Sequence, residues 1–267
     1  YQREHAARAR VENHGLFIHE QILIEAEGPG RRLHGGIDAE DAIGDILSVR
    51  RTGKTIWRYG LTRVLVHLRG LEQMMFDMYD HPEILHRLMA FLRDDRIAVA
   101  EWLEAEGLYS LNNENDYIGS GSVGYTRELP APGLAGADAV RTADLWALLE
   151  SQETVGVGPS QFAEFIFPYQ KAVTDLAGLV YYGCCEPMDT KVDKLRKRFK
   201  NLRKISITPW ADPYTAAENI GRDYVLAGKP NPAFVNSPVF NPAPVEEEMR
   251  RYLDACRKNN TVCEFVL

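Results

Sequence analysis

The sequence lacks several features that define common protein classes. Its 267 residues include four cysteines, too few for a disulfide scaffold, and no apolar run near the roughly 20 residues of a membrane-spanning helix. The net charge is −7, and an acidic surface argues against general affinity for nucleic acid. The charged start, "YQREHAARAR", is unlike a signal peptide. These absences predict a cytoplasmic protein that binds neither membranes nor nucleic acid.

A glycine-rich phosphate-binding turn after a strand is also missing, although most doubly wound nucleotide-binding sheets carry one. The stretch "GSGSVG" (119–124) is rich in glycine, but it precedes no obvious helix, and we interpret it as a flexible loop. An initiator methionine is absent, and the last residues, "TVCEFVL", resemble a strand with nothing after it. We therefore expect the chain to be part of a longer polypeptide.

What is present is a regular alternation of strand-like and helical segments. The strand-like segments cover residues 108–116, 143–153, 178–187, 204–212, 223–232 and 261–267, and helical patterns cover 80–107, 160–178, 189–201 and 243–259. Strands that alternate with helices predict βαβ units and a parallel sheet. Six such strands favour an α/β fold of the (β/α)8 TIM-barrel type, incomplete at one or both ends in this chain. We expect one domain over residues 1–267, with residues 1–60 left unassigned.

Polar side chains follow the predicted strands where each strand ends. In a barrel, the loops after the strands meet at one mouth, which holds the active site. The candidates for substrate contacts and acid catalysis at this mouth are Asn112, Glu114, Glu153, Glu186, Trp210, Asp212, Lys229 and Asn231. Their convergence predicts a site for a small molecule.

The adjacent thiols in "LVYYGCCEP" (179–187) allow several interpretations. One of Cys184 and Cys185 could pack in the strand while the other faces the mouth, because alternate strand residues point to opposite sides. Both could bind a metal ion if the strand breaks at Gly183, with Cys263 as a further ligand. A disulfide between neighbouring cysteines is disfavoured by its geometry. A nucleophilic role is disfavoured because all seven histidines precede residue 87.

Several longer stretches resemble the uroporphyrinogen decarboxylase superfamily, in particular its branch that contains corrinoid-dependent methyltransferases. The similar stretches are "MYDHPEILHRLM" (78–89), "DLWALLESQETVGVGPSQFAEFIFPYQKAV" (144–173), "LVYYGCCEP" (179–187), "ITPWAD" (207–212) and "VLAGKPNPA" (225–233). The resemblance covers roughly residues 60–267. It implies a (β/α)8 barrel, in agreement with the strand pattern.

The resemblance also implies an activity. It points to a methyltransferase that moves a methyl group between a small O- or N-methylated compound, or a thiol acceptor, and a corrinoid (cobalamin-type) cofactor on a partner protein. Methyltransferases of this branch bind zinc through a histidine and cysteines, so Cys184, Cys185 and Cys263 become the expected zinc ligands. Glu114, Glu153 and Glu186 are the candidate acids, and Tyr182 and Trp210 are expected to line an apolar substrate pocket.

Two other functions stay open at this point. A metal-independent decarboxylase of a carboxylated substrate such as a porphyrinogen would need arginines at the mouth, where Arg127 and Arg141 are the nearest candidates. A barrel without enzymatic activity could bind a small molecule through the same polar loops. The sequence does not set the oligomeric state, and a homodimer is one arrangement that it allows.

Overall fold

The structure of the chain is a computed structural model that describes residues 45–46, 53, 60–130, 139–236 and 239–266. The chain divides into two compact units, residues 1–53 and residues 54–267. Almost all of the described residues belong to the second unit, to which the following description applies.

Three helices precede the sheet. They are α1 (Leu61–Arg69), α2 (Leu71–Asp80) and α3 (Pro82–Ala105). Helix α3 begins with proline at its first position, where the missing N–H costs nothing, and buries Leu85, Met89 and Leu92 along one stripe. This confirms the helix predicted over residues 80–107. The segment that precedes it, "LTRVLVHL" (61–68), is helical as well.

The main sheet has five parallel strands. Its strands are β3 (Trp146–Leu149), β4 (Leu179–Tyr182), β5 (Leu202–Ile207), β6 (Val225–Gly228) and β7 (Val262–Phe265), and a two-stranded hairpin, β1 (Tyr117–Gly119) and β2 (Ser122–Val123), precedes them. Neighbours in the sheet follow the order β3-β4-β5-β6-β7, the same as their order in the chain. The fold is therefore α/β with a parallel sheet, as predicted.

The first predicted strand, over residues 108–116, is not formed as a continuous strand. Only Tyr109 makes an isolated bridge, and the chain then bends toward the hairpin. The side chain of Asn112 pairs with the backbone of Trp146 instead, donating to its carbonyl at 3.0 Å and accepting from its N–H at 2.9 Å. The amide group thus supplies hydrogen bonds that a neighbouring strand would otherwise make along the edge of β3.

Helices follow most strands of the sheet. They are α4 (Pro159–Gln161), a π-helical turn (Phe162–Ile166), α5 (Phe167–Thr174), α6 (Val192–Arg196), α7 (Pro213–Ile220) and α8 (Pro242–Asn259), with short 3-10 turns at Thr142–Asp144, Gln152–Thr154 and Pro232–Phe234. Asp212 and Asn241 cap the starts of α7 and α8 through their side chains, as aspartate and asparagine do at helix starts.

The two faces of the parallel sheet differ. One face packs on helices and is apolar, with Tyr182, Ile205 and Leu226 in one large core. The opposite face carries a second, smaller apolar cluster around Trp146 and Tyr181, together with polar residues. The β1–β2 hairpin covers this second face through a cluster that includes Ile118. We call it the hairpin-covered face.

No helix among the described residues is both long enough and apolar enough to cross a membrane.

Candidate functional site

The break after β4 creates the most distinctive local geometry at the carboxyl ends of the strands. Gly183 has φ +103°, a backbone region that L-residues other than glycine rarely adopt. A Cβ atom at this position would lie 3.0 Å from the Cβ of Ser206 and 3.2 Å from the Cγ of Met188. The turn therefore requires glycine, and it takes the next two residues out of the alternating pattern of a strand.

As a result, the side chains of Cys184 and Cys185 lie side by side. Their sulfur atoms are 3.6 Å apart, and both thiols are free. Cys184 is half-buried and Cys185 is exposed. Neither cysteine packs as part of the β4 strand, because the strand ends at Tyr182.

Hydrogen bonds to neighbouring segments hold the backbone of this cysteine pair. The N–H of Cys184 donates to Oε2 of Glu186 at 3.0 Å. The carbonyl oxygen of Cys184 accepts from the hydroxyl of Ser206 at 3.2 Å and from Nζ of Lys229 at 3.0 Å. Glu186 in the same loop, Ser206 in β5 and Lys229 after β6 thus hold the backbone of Cys184 on both sides of its Cα atom.

Lys229 is the nearest cation to the pair. Its Nζ lies 3.9 Å from Sγ of Cys184 and also donates to the hydroxyl of Ser120. Burial raises the pKa of the Cys184 thiol to about 11, and the charge of Lys229 opposes this shift only in part. Burial at this position therefore favours the thiol of Cys184 over the thiolate.

The tip of the hairpin contributes a residue that sequence reasoning missed. Ser120 and Gly121 form the two-residue turn between β1 and β2, with φ of +52° and +87°. These angles match the turn type that two-residue hairpins prefer. The interpretation of "GSGSVG" (119–124) as a flexible loop is therefore wrong, because this segment forms the hairpin turn that brings Ser120 to Lys229. The serine-glycine pair is the turn signal that the sequence offers.

A second group that the sequence did not indicate lies deeper on the hairpin-covered face. Nζ of Lys204 donates to Oε2 of Glu264 at 3.0 Å, to the hydroxyl of Ser122 at 3.0 Å and to the carbonyl of Val123 at 2.7 Å. The same ammonium lies 5.2 Å from the centre of the Trp146 ring. All three N–H donors of the lysine are used, so this network ties the hairpin to β5 and β7.

The three predicted acids have different surroundings. Glu186 is fully buried, and its two oxygens accept the N–H groups of Ser151, at 2.8 Å, and Cys184. Glu153 accepts the hydroxyl of Thr62 at 2.8 Å, and Glu114 is exposed in the loop before the hairpin. The structure therefore gives Glu186 a backbone-holding role, and it does not support the prediction that this residue donates a proton to a substrate.

Two predicted substrate-binding residues are placed inside the protein. Tyr182 lies in the core on the helix-covered face, where its hydroxyl bonds to Ser151 and Gln170 at 2.8 and 3.0 Å. Asn112 is fully buried and pairs with the Trp146 backbone. These locations do not support a substrate contact by either side chain, because both are engaged and shielded from solvent.

The remaining predicted residues lie in the loops after β5 and β6. Trp210 is 70% exposed in the loop after β5. Asp212 accepts the N–H and hydroxyl of Thr215 at 2.9 and 2.7 Å as the cap of α7. Asn231 caps the following 3-10 turn through its side chain. Of the predicted substrate-binding residues, only Lys229 contacts the cysteine pair in the hydrogen bonds described above.

The expected zinc ligands are separated by the sheet. Cys263 packs into the core on the helix-covered face beside Cys256, whose thiol pKa is raised by burial and by this neighbour. Among residues 60–130, 139–236 and 239–266, no three histidine, cysteine, aspartate or glutamate side chains are grouped closely enough to hold a metal ion. Zinc takes three or four protein ligands, so the Cys184–Cys185 pair alone does not fit a zinc site.

A scan against protein-family models finds no match to the chain, and a search of curated proteins finds no matching protein.

Proposed function

We propose that the chain is a barrel-type methyltransferase that moves a methyl group from a small O- or N-methylated compound to a corrinoid carried by a separate protein. The observation that carries the proposal is the cysteine pair beside Lys229 at the carboxyl ends of a parallel sheet. Five strands whose spatial order follows the chain order favour a closing (β/α)8 barrel over a doubly wound sheet, in which the order reverses.

Lys229 is the residue that we assign to the chemical step. When a methyl group leaves oxygen or nitrogen, the heteroatom gains negative charge or needs a proton. The ammonium of Lys229 is held by Ser120 and by the Cys184 carbonyl, and it faces the thiols. It can donate the proton to the leaving atom. The corrinoid supplies the nucleophile that receives the methyl group.

Exposed apolar side chains in the neighbouring loops support binding of a small methylated compound or of the corrinoid protein. Trp210 follows β5, and Val235 and Phe240 follow β6, with exposed fractions of 70%, 48% and 61%. Each of these side chains follows a strand of the sheet, and exposed large apolar side chains are available for contacts with an apolar ligand or a partner protein.

The test is methyl transfer with free reduced cobalamin as the acceptor. The chain is mixed with a panel of methoxyarenes and methylated amines, and methylcobalamin is followed by its absorbance. We expect transfer from at least one compound. Lys229→Ala should slow it about 100-fold, as expected for loss of a general acid, while Lys229→Arg keeps the charge and part of the rate.

Absence of transfer from the whole panel, and of the reverse reaction from methylcobalamin to phenols or thiols, would overturn the proposal.

The alternative function, a decarboxylase, gains no support from its two candidate arginines, Arg127 and Arg141. Arg141 lies before β3, where it is bound to Asp144 at 2.8 Å, and Arg127 is exposed next to Glu128, which pairs with Arg203 near the start of β5.

A further inference from the structure

We propose that Cys184 and Cys185 form a dithiol site for trivalent, thiophilic electrophiles of the organoarsenical class. The inference does not rest on the methyltransferase proposal, because it concerns binding by the two thiols alone. The pair has two sulfur ligands, whereas a zinc site needs at least one more protein ligand.

The spacing of the sulfurs suits one shared ion or atom. Two thiolates on a tetrahedral zinc, with bonds of about 2.3 Å, lie about 3.8 Å apart. The observed separation of Cys184 and Cys185 is 3.6 Å. The distance between the sulfur atoms therefore suits a single soft atom bound by both. Zinc would need further ligands, and none is grouped with the pair in the described part of the chain. Trivalent arsenic that carries one organic group needs only two sulfurs.

The pair is also preorganised and accessible. Glu186, Ser206 and Lys229 hold the backbone of Cys184 through its N–H and its carbonyl, so closing a chelate ring needs little change in the backbone. Cys185 is exposed, which lets a ligand approach from solvent, while half-buried Cys184 lies directly beside it. A rigid pair loses less conformational entropy on binding than a flexible one.

The step is neutral in redox terms and balanced. Phenylarsine oxide reacts with the two thiols to form two arsenic–sulfur bonds. The arsenic–oxygen bond breaks, and the two thiol protons leave with that oxygen as one water molecule. The protons of the two thiols are consumed in forming the water, so no separate oxidant, reductant or net proton acceptor is required.

The chain contains a matched control pair. Cys256 and Cys263 also neighbour each other, but Cys256 is buried in α8 and Cys263 is half-buried against the core. Both pairs have two thiols, and only one of them has a thiol exposed to solvent. We therefore expect the reagent to bind Cys184 and Cys185 and to leave the other pair free.

The experiment uses the full chain, reduced and treated with a chelator, and titrates it with phenylarsine oxide. Intact-mass spectrometry should show one adduct per chain, and thiol titration of the unfolded product should show two of the four cysteines blocked. A dithiol should reverse the adduct, whereas a monothiol should not. Cys184→Ser and Cys185→Ser should each weaken binding at least about 100-fold, because the second thiol acts at high effective concentration.

Cys256→Ser and Cys263→Ser should bind like the wild type. An adduct that survives in Cys185→Ser, or that disappears in Cys256→Ser, would overturn the assignment, as would reversal by a monothiol. Cys185 is exposed, so its serine variant is expected to fold, and circular dichroism checks this. Binding without methyl transfer would leave this inference standing and count only against the proposed function.

Discussion

The two ends of the parallel sheet differ in the polar groups that they leave accessible. At the amino ends of the strands, carboxylates are engaged: Asp144 accepts hydrogen bonds from Arg141, and Glu104 accepts two from Thr142. At the carboxyl ends, Cys185 is exposed and Lys229 faces a thiol.

In parallel α/β sheets, both closed barrels and open sheets, ligands bind at the carboxyl ends of the strands. Polar residues at the amino ends are then expected to serve mainly stability. Changes at the amino ends should alter the free energy of unfolding without altering the thiols, and changes at the carboxyl ends should divide into structural and functional ones.

The largest expected effect tests that division at the carboxyl ends. Glu186→Ala removes the acceptor of two buried N–H groups, of Ser151 and Cys184. Each unpaired donor costs about 1–3 kcal/mol, so we expect the free energy of unfolding to fall by about 3 kcal/mol, measured by urea denaturation. Glu186→Gln keeps one acceptor oxygen and should lose about half as much. A loss below about 1 kcal/mol for the alanine variant would contradict the backbone-holding role.

A smaller loss is expected at the amino ends. The carboxylate of Asp144 is fully buried and accepts three hydrogen bonds from Arg141, at 2.8 to 2.9 Å. The Arg141 side chain is 40% exposed, so water can replace its partner in Asp144→Ala. We expect unfolding to become easier by about 1–2 kcal/mol.

The comparison requires that the Asp144 variant leave the thiols unchanged. Modification of Cys185 by a thiol reagent in the folded protein should proceed at the wild-type rate in Asp144→Ala. A clear change in that rate would show that the two ends of the sheet are coupled, and the separation of roles would fail.

Much of this fold could be predicted from periodicity. The helix over 80–107 and five of the six strands follow from the alternation of strand-like and helical patterns of apolar residues. The prediction of a strand over 108–116 is wrong, and the sequence pattern could not have shown this. The side chain of Asn112 makes the hydrogen bonds to Trp146 that a strand would otherwise make. A side chain that imitates a backbone partner leaves no periodic signal.

The candidate site was predicted only in part. The break at Gly183 and the two thiols could be expected from "GCCEP", and Lys229 from its place after a strand. The direction in which each side chain points could not be predicted from the sequence. Alternation assigns Cys263 and Glu264 to opposite faces but does not say which face is covered by helices. The contact of Ser120 with Lys229 joins segments 109 residues apart, which no local pattern encodes.

A third prediction concerns a capping residue at the carboxyl ends. Asp212→Ala removes the side-chain acceptor at the start of α7 and should cost about 1 kcal/mol. Hydrogen bonds from Thr215 lower the pKa of Asp212. Because the folded-state pKa lies below the unfolded value, this contribution is present above the ordinary pKa of about 3.9 and is lost as the pH falls through the folded-state pKa.

Asp212→Asn supplies the control for this residue, because asparagine caps helices nearly as well and does not titrate. Its stability at pH 7 should stay close to that of the wild type, and the part of the acid destabilisation that Asp212 contributes should disappear. If the wild type and Asp212→Asn lose stability in parallel between pH 5 and pH 2, in urea titrations at about five pH values, the cap does not depend on the charge of Asp212.

The smallest expected effect on stability is at Trp210, and it separates function from structure most sharply. The indole is 70% exposed, so Trp210→Ala should change the free energy of unfolding by less than about 0.5 kcal/mol. If the loop binds the methylated compound or the corrinoid protein, loss of this ring should weaken that binding by about 2 kcal/mol or more, which raises KM about 30-fold. Tyr125, 72% exposed in the loop after the hairpin, is the matched control, and Tyr125→Ala should change neither quantity. An unchanged KM in Trp210→Ala would place the binding surface elsewhere and leave the thiol pair and Lys229 as the functional part of this edge.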